Sequence, residues 1–240
     1  MKTIEFMDII RSLGKPVFTT ADVARITGKK DSYVGLYLHR IKGYGKIEEI
    51  ERGKFAMPGT DPMLIASNMI FPSYISFLSG LIFINLTNRI SRTVFVACAK
   101  SKAEIRKGEY SIRFVKLSGS KMFGYRKERY YENKFIIVGE PEKIIVDSLF
   151  LPEYCPIDET FNALMEGEFD AEKLLEYGIR MESIVVLKRL GYLLELKGID
   201  VHEKLRGRLN QRYDLLNPLL QKEGIRDKKW KLVINENFEV

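Results

Sequence analysis

Hydrogen-bond donors recur along one side of the segment 32–42, at the spacing of an α-helix. Tyrosine and serine hydroxyls and an arginine guanidinium can donate to base edges and phosphates in a DNA groove. The stripe of donors comprises Ser32, Tyr33, Tyr37 and Arg40, with Leu36 at its edge. A second, apolar stripe, which we expect to pack on the rest of the fold, comprises Val34, Leu38 and Ile41. The pattern predicts a helix that reads the major groove of DNA.

Lysines and arginines flank this helix, where the phosphates beside a groove would lie. Lys29 and Lys30 precede it, Lys42 ends it, and Arg52 and Lys54 surround the tip of a predicted hairpin. A hairpin placed in this way can contact a neighbouring phosphate or minor groove as a wing. The predicted DNA-binding residues are therefore Lys29, Lys30, Ser32, Tyr33, Tyr37, Arg40, Lys42, Arg52 and Lys54.

Two observations oppose this interpretation. A stripe of tyrosine and arginine is more often a solvated helix face than a reading surface. The acidic residues Glu48, Glu49 and Glu51 would also repel phosphate unless they face away from DNA. The prediction therefore rests on the whole arrangement, including local charge: residues 1–60 contain 11 Lys+Arg and 7 Asp+Glu, a net charge of +4 within the chain's +7.

A second cluster alternates aromatic and cationic side chains in the segment "SKMFGYRKERYYENK" at 120–134. Platforms on which single-stranded nucleic acid stacks have this character. A solvated β-hairpin gives the same alternation and is the commoner case, and an acidic or RNA-bearing partner would also fit. The candidate residues of this second nucleic-acid or partner surface are Lys121, Tyr125, Arg126, Lys127 and Arg129.

The residue groupings that most enzymes need do not occur in the sequence. His39 and His202 are far apart, and no cysteine or carboxylate stands beside either at a ligand spacing, so we expect no bound metal. Neither a nucleophile elbow nor a phosphate-binding loop is present. The triplet "ELK" at 195–197 matches half of a nuclease motif, but it lies in a helical pattern where an exposed charge pair is expected. We therefore expect neither catalysis nor a cofactor.

The composition is typical of a soluble globular protein, with 240 residues of which 45% are hydrophobic and 30% charged. The basic balance favours a polyanionic partner such as nucleic acid. Two unpaired cysteines favour a reducing, cytoplasmic setting, and the N-terminus lacks the unbroken apolar region of a signal peptide. The apolar stretch 71–86 is too short to cross a membrane and contains three serines, so we expect a buried helix there.

Periodicity and glycine positions predict a winged helix-turn-helix domain at residues 1–58. Its helices are expected at 3–13, 19–28 and about 31–42, and its short strands at 16–18, 46–50 and 54–57. The second helix opens with the capping box Thr19–Asp22 and closes at Gly28. Asp31 or Ser32 is expected to cap the third helix, and "PGTDP" at 58–62 is the expected linker.

The remainder, 63–240, is predicted to form a mixed α+β domain with a small central sheet and a helical C-terminal half. Strands are predicted at 92–100, 110–117, 121–126 and 134–139, helices at 73–85 and 141–151 and throughout 157–222, and a last strand in the tail from 228. The predicted fold class of the whole chain is therefore α+β.

Two segments, "FPSYISFLSGL" (71–81) and "PEKIIVDSLFLPEY" (141–154), resemble the paired landmarks of AbiE-type antitoxins, the DNA-binding half of type IV toxin–antitoxin systems, and of related regulators. The tail "DLLNPLLQKEGIRDKKWKLVIN" (214–235) also resembles the C-terminal end of some members. Ile144 stands where that family has a small residue. The landmarks occur in the family's order, and with the predicted winged helix the resemblance covers most of the chain.

The resemblance implies a repressor that binds operator repeats upstream of its own operon and a second domain that carries antitoxin function. It also implies a nucleotidyltransferase-like toxin as functional partner, with the two landmark helices serving as scaffold. We therefore expect a cytoplasmic, non-enzymatic protein that binds operator DNA as a monomer or homodimer. A stand-alone ligand-responsive regulator and an RNA-binding protein that uses the 120–131 cluster remain the alternatives.

Overall fold

The computed structural model describes residues 3–238, so the outer ends of the expected domains 1–58 and 63–240 lie outside the described residues. The first unit of the fold consists of three helices and three short strands. In chain order these are α1 (Thr3–Ser12), β1 (Val17–Thr19), α2 (Thr20–Thr27), α3 (Asp31–Gly43), β2 (Glu48–Glu51) and β3 (Lys54–Ala56). The strands form an antiparallel sheet in the order β1-β3-β2.

Local sequence signals account for the limits of α2. The Thr19 side chain accepts from the Asp22 amide, and the Asp22 carboxylate accepts in return from the Thr19 amide, which completes the predicted capping box. Gly28 ends the helix at φ 63°, a left-handed conformation that glycine adopts without steric cost. The expected cap of α3 was wrong: Lys30 holds that position, and no side chain bonds there.

The core of this unit lies between the three helices and the sheet. Val34, Leu38 and Ile41 are fully buried, as the apolar stripe of α3 predicts. They belong to a cluster with residues of α1, β1 and β3, among them Phe6 and Phe18. Burial of one stripe fixes the rotation of α3 about its axis and leaves the opposite face in solvent.

The second unit is built on a six-stranded mixed sheet in the order β6-β7-β5-β4-β9-β8. Its strands are β4 (Ser73–Ile75), β5 (Thr93–Cys98), β6 (Ile105–Lys107), β7 (Tyr110–Lys116), β8 (Tyr125–Tyr131) and β9 (Lys134–Gly139). The pairs β5–β7 and β4–β9 are parallel, and the other three are antiparallel. The predicted α+β class is confirmed.

Seven helices accompany this sheet. They are α4 (Pro62–Ser67), α5 (Phe77–Phe83), α6 (Pro141–Phe150), α7 (Ile157–Glu166), α8 (Ala171–Arg180), α9 (Ile184–Leu196) and α10 (His202–Leu205). A small sheet in the order β10-β12-β11 completes the described chain, with strands β10 (Asp214–Leu215), β11 (Ile225–Asp227) and β12 (Leu232–Ile234). Trp230 is fully buried against α9, where Gly191 leaves room for its ring.

Three predicted elements differ from the structure, and one strand of the central sheet was not predicted. The helix expected at 73–85 is a central strand followed by a shorter helix, because Ser73–Ile75 pairs with β5 on one side and with β9 on the other. The strand expected at 121–126 begins only at Tyr125, and β6 was not predicted. The helical pattern expected to 222 ends near Leu205, after which short strands and Pro218 prevent a helix.

The two units pack directly on one another. Val17, Ile50 and Ala56 of the first unit share a buried apolar cluster with residues of α4, β5, β6 and β7. Polar contacts surround this cluster: the Lys107 ammonium donates to the Glu49 carbonyl at 2.8 Å, and the Lys54 ammonium donates to the Met69 carbonyl. The hairpin of the first unit is therefore held by the second.

Candidate nucleic-acid interface

The outward face of α3 presents exposed side chains of mixed chemistry. Ser32, Tyr33, Leu36, His39 and Arg40 are exposed, with 73% of Leu36 and 43% of Tyr33 accessible to solvent. They lie opposite the buried stripe, as the helical repeat requires. This face therefore combines hydroxyl, imidazole and guanidinium hydrogen-bonding groups with one apolar side chain of a size that can contact a thymine methyl group.

Tyr37 occupies a different place from the rest of the predicted donor stripe. Its side chain is half-buried, and its ring lies 4.5 Å from that of Phe6 in the core. The Tyr33 ring stacks on it at 6.2 Å, and the Arg40 guanidinium lies 5.8 Å from its centroid. Tyr37 thus contacts both Tyr33 and Arg40 and is less exposed than either, so it can support their positions as well as belong to the predicted site.

Two of the three acidic residues of β2 form ion pairs with lysines of the first or the second unit. The Lys42 ammonium lies 2.6 Å from the Glu49 carboxylate, and the Lys54 ammonium lies 2.8 Å from that of Glu51. Lys102 of the second unit also donates to Glu51. Glu48 is half-buried, and its charge adds to the effect of burial in raising the pKa of Tyr110. The repulsion that Glu49 and Glu51 would exert on phosphate is therefore largely neutralised inside the fold.

These ion pairs alter the acidity of two glutamates. The hydrogen bond from Lys42 lowers the pKa of Glu49 below its ordinary value. Burial alone would raise the pKa of Glu51, but the bonds from Lys102 and Lys54 outweigh it, and the pKa is lowered. Both side chains are consequently anionic at neutral pH.

The predicted phosphate contacts divide into two groups. Lys42 and Lys54 are half-buried and engaged by carboxylates, so the structure does not place them as open phosphate ligands. Lys29, Lys30 and Arg52 are exposed, the first two immediately before α3 and the third at the turn between β2 and β3. The structure therefore leaves cations available at the start of the helix and at the hairpin tip.

Two residues of the exposed face were absent from the predicted site. Leu36 was assigned to its edge and His39 was considered only as a metal ligand, yet Leu36 lies at the middle of the outward face and His39 is exposed at the side of that face away from Tyr33. The signal was available in the sequence, because the helical repeat places Leu36 almost opposite Val34, Leu38 and Ile41 and places His39 about as far from them as Arg40.

The second predicted cluster is not one surface. Tyr125 is half-buried, and its ring stacks on the buried Tyr74 at 4.9 Å with an interplanar angle of 11°. Lys121 donates to the Met181 carbonyl, and Arg126 donates to Glu128. Among the candidates, Lys127 and Arg129 remain exposed without a carboxylate partner in the described part of the chain. The expectation of a stacking platform that uses Tyr125 was wrong because the sheet core takes up that ring.

The two family-like landmarks meet in the centre of the second unit. The Asp147 carboxylate of α6 accepts from the Tyr74 hydroxyl at 3.0 Å, from the Ser76 hydroxyl at 2.8 Å, and from Lys143. All four side chains are fully buried. Burial lowers the pKa of Lys143, and Asp147 opposes that shift. The cluster is closed to solvent and connects the sheet to α6.

Other groups that could have performed chemistry are also built into the fold. Glu195 accepts from the Trp230 indole and from Lys229, while Lys197 donates to carbonyls at the end of α7, so the "ELK" triplet is structural. Cys98 and Cys155 are free and buried, and burial raises the pKa of Cys155 to about 11. Among residues 3–238, no cluster of three or more histidine, cysteine, aspartate or glutamate side chains could hold a metal ion.

Positive charge is not confined to the first unit. Residues 204–231 contain 9 Lys+Arg and 3 Asp+Glu, a net charge of +6, against +4 for residues 1–60. Most of these cations are exposed. Positive charge alone therefore does not place a polyanion partner in the first 60 residues, and it supports the α3 face only together with the geometry of that face.

Within the described range, none of the helices has the length and apolarity needed to cross a bilayer. Comparison with known proteins adds no assignment: no family model matches the chain, and no curated protein matches it.

Proposed function

We propose that the chain is a sequence-specific DNA-binding repressor whose first unit is a winged helix-turn-helix. In this proposal α3 enters the major groove and the β2–β3 hairpin serves as the wing. The observation that most supports this proposal is that the outward face of α3 is exposed opposite a fully buried stripe. The exposed residues are Ser32, Tyr33, Leu36, His39 and Arg40. Such a face offers both hydrogen bonds and an apolar contact to base edges.

The surroundings of α3 support the same proposal. Lys29, Lys30 and Arg52 would contact phosphates on either side of the groove, which fixes the register of the helix on DNA. Pairing of Glu49 and Glu51 with lysines removes the main electrostatic objection to an acidic first wing strand. Contacts of the hairpin with the second unit would keep the wing in a fixed position, which reduces the entropic cost of binding.

We further propose that this repressor is the antitoxin of a type IV toxin–antitoxin system and represses its own operon in the cytoplasm. Support comes from the resemblance of 71–81 and 141–154 to the family landmarks, which meet through Tyr74, Ser76, Lys143 and Asp147. In this role the second unit counteracts a nucleotidyltransferase-like toxin. Co-expression with the product of the neighbouring gene would test the antitoxin role: rescue of growth supports it, and undiminished toxicity rejects it.

A reporter experiment tests the repressor role. The DNA upstream of the gene is fused to a reporter, and the wild-type chain is supplied from a second plasmid. Repression by wild type, with loss of repression by Arg40→Ala at equal protein level, is the expected result. Arg126→Ala is the matched control and should repress normally, because its side chain is 53% exposed on β8, at the opposite edge of the sheet from the strand β6 that contacts the hairpin. Equal reporter output with and without the wild-type chain would reject the proposal.

A further inference from the structure

An open groove of about 450 Å³ lies between the end of α4 and the β8–β9 hairpin. Its floor and walls come from the segment 67–71 and from residues 135–137, with Lys127 at one side. Two aromatic rings border it: Phe71 is 67% exposed and Phe135 is 42% exposed. The two rings border the same groove and so form one apolar rim, which is the kind of surface at which partners bind.

Two cations stand on the same face of the hairpin as Phe135. The antiparallel register pairs Arg129 with Phe135 and Lys127 with Ile137, which places these four side chains on one side of the sheet. The Lys127 ammonium lies 4.4 Å from the centroid of the Phe135 ring. Arg129 donates to the Glu132 carbonyl, and neither cation forms an ion pair with a carboxylate of the described residues.

Exposed rings beside unneutralised cations are the combination that single-stranded nucleic acid requires. Bases stack on aromatic rings whatever their sequence, while cations at the edge of a groove neutralise the backbone. Asn68 adds a polar side chain to the groove wall and is exposed there. Its amide nitrogen donates to the Leu64 carbonyl, which fixes the orientation of the side chain. A duplex cannot use the rings in this way, since its bases are already stacked on each other.

We propose that this groove binds single-stranded nucleic acid, with unpaired bases on Phe71 and Phe135 and backbone phosphates on Lys127 and Arg129. The site is separate from the outward face of α3 and does not rest on the repressor role. It also differs from the surface expected at 120–131, because Lys121, Tyr125 and Arg126 take no part. Its ligand class is an unpaired stretch of RNA or DNA, whose shared features are the base face and the phosphodiester.

The test measures fluorescence anisotropy of labelled oligouridylate and oligothymidylate of about eight nucleotides, a length suited to such sites. The full chain is compared with the double variant Phe71→Ala/Phe135→Ala, which should bind both strands at least tenfold more weakly. A matched control, Ile90→Ala/Ile225→Ala, removes two side chains that are 97% and 78% exposed elsewhere and should bind as wild type does. The ratio of the affinities for oligouridylate and oligothymidylate shows whether RNA or DNA is the preferred ligand.

A second pair of variants tests the phosphate contacts. Lys127→Ala/Arg129→Ala should weaken binding and reduce the salt slope by about 0.7 for each phosphate that is no longer neutralised. Lys116→Ala, at an exposed lysine on β7, should leave the slope unchanged. Arg40→Ala, which alters the α3 face, should also bind the single strands normally.

Three results would overturn the proposal. One is unchanged affinity of the Phe71→Ala/Phe135→Ala variant, and another is loss of single-strand binding on Arg40→Ala, which would move the site to α3. The third is absence of binding to either oligonucleotide while an acidic, phenylalanine-containing peptide binds in a manner that depends on Phe71 and Phe135. In that case the groove is a protein-docking site.

Discussion

The hydroxyl of Tyr74 on β4 donates to the carboxylate of Asp147 on α6 at 3.0 Å, in a position without solvent. The same carboxylate accepts from Ser76 and from Lys143. Residues 73 positions apart in sequence are thereby joined at the centre of the second unit. A buried carboxylate with these partners is costly to disturb, because each donor left behind is buried without an acceptor.

Asp147→Ala should lower the free energy of unfolding by about 3–5 kcal/mol, because it leaves the Lys143 ammonium buried without its counter-ion. Asp147→Asn should cost less, since the amide oxygen can still accept from Tyr74 and Ser76. Urea denaturation followed by circular dichroism measures both. Arg11→Ala, which removes an ion pair with both side chains more than 60% exposed, is the control and should cost under about 1 kcal/mol. An Asp147→Ala variant as stable as this control would contradict the structural role of the cluster.

Two helical glycines should respond oppositely to alanine. At Gly191 on α9 an added Cβ would lie 2.1 Å from the buried Trp230 ring, so Gly191→Ala should destabilise the fold by about 1–3 kcal/mol through overpacking. At Gly35 on α3 no atom lies within 4 Å of the added Cβ, so Gly35→Ala should stabilise by up to about 1 kcal/mol. Thermal or urea unfolding compares them. A stabilised Gly191→Ala would show that Trp230 is not seated as described.

The ion pairs of Glu51 with Lys54 and Lys102 should make the contact between the two units sensitive to acid. The folded-state pKa of Glu51 is lowered from its ordinary 4.5, so its contribution to stability is present above that pH and is lost as the pH falls through the folded value. Glu51→Gln should therefore lower the free energy of unfolding by up to about 1 kcal/mol relative to wild type at neutral pH. The difference between the two proteins should disappear at a pH low enough to protonate Glu51 in the wild type. Glu109→Gln, at a carboxylate 87% exposed, is the control and should leave the free energy of unfolding nearly unchanged at neutral pH. A constant difference across the acid range would rule out the proposed ion pairing.

Local signals allowed prediction of the first unit in some detail. The Thr19–Asp22 capping box, the left-handed Gly28 and the buried stripe of Val34, Leu38 and Ile41 each depend on residues within a few positions of one another. Their energies are therefore encoded in short segments that can be recognised without knowledge of the rest of the chain.

Features set by distant contacts could not be predicted in this way. Ser73–Ile75 lies in an apolar stretch whose periodicity fits a helix, and it is a strand because β5 and β9 pair with it. The placement of Tyr125 on Tyr74 depends on the same sheet, as does the groove beside Phe71 and Phe135. The neutralisation of Glu51 by Lys102 joins two units, so the sequence could indicate an acidic strand but not its partner.

Binding of DNA by the outward face of α3 is the central proposal. Arg40→Ala should cost about 1–3 kcal/mol of operator affinity and relax specificity at one base pair if its guanidinium reads a base. Lys29→Ala should weaken binding evenly across sequences and reduce the salt slope by about 1, because it would remove a phosphate contact. Both side chains are exposed, so neither change should lower the free energy of unfolding by more than about 1 kcal/mol, the size of the contact between Arg40 and the Tyr37 ring.

The most direct test is the affinity of the full chain for a duplex from the DNA upstream of its own gene, compared with a shuffled duplex of equal length and composition at several salt concentrations. Wild type should prefer the upstream duplex at least tenfold, and Arg40→Ala should lose most of that preference while still binding both duplexes weakly. Equal affinity of wild type for the two duplexes, together with no effect of Arg40→Ala, would contradict the proposed role of α3.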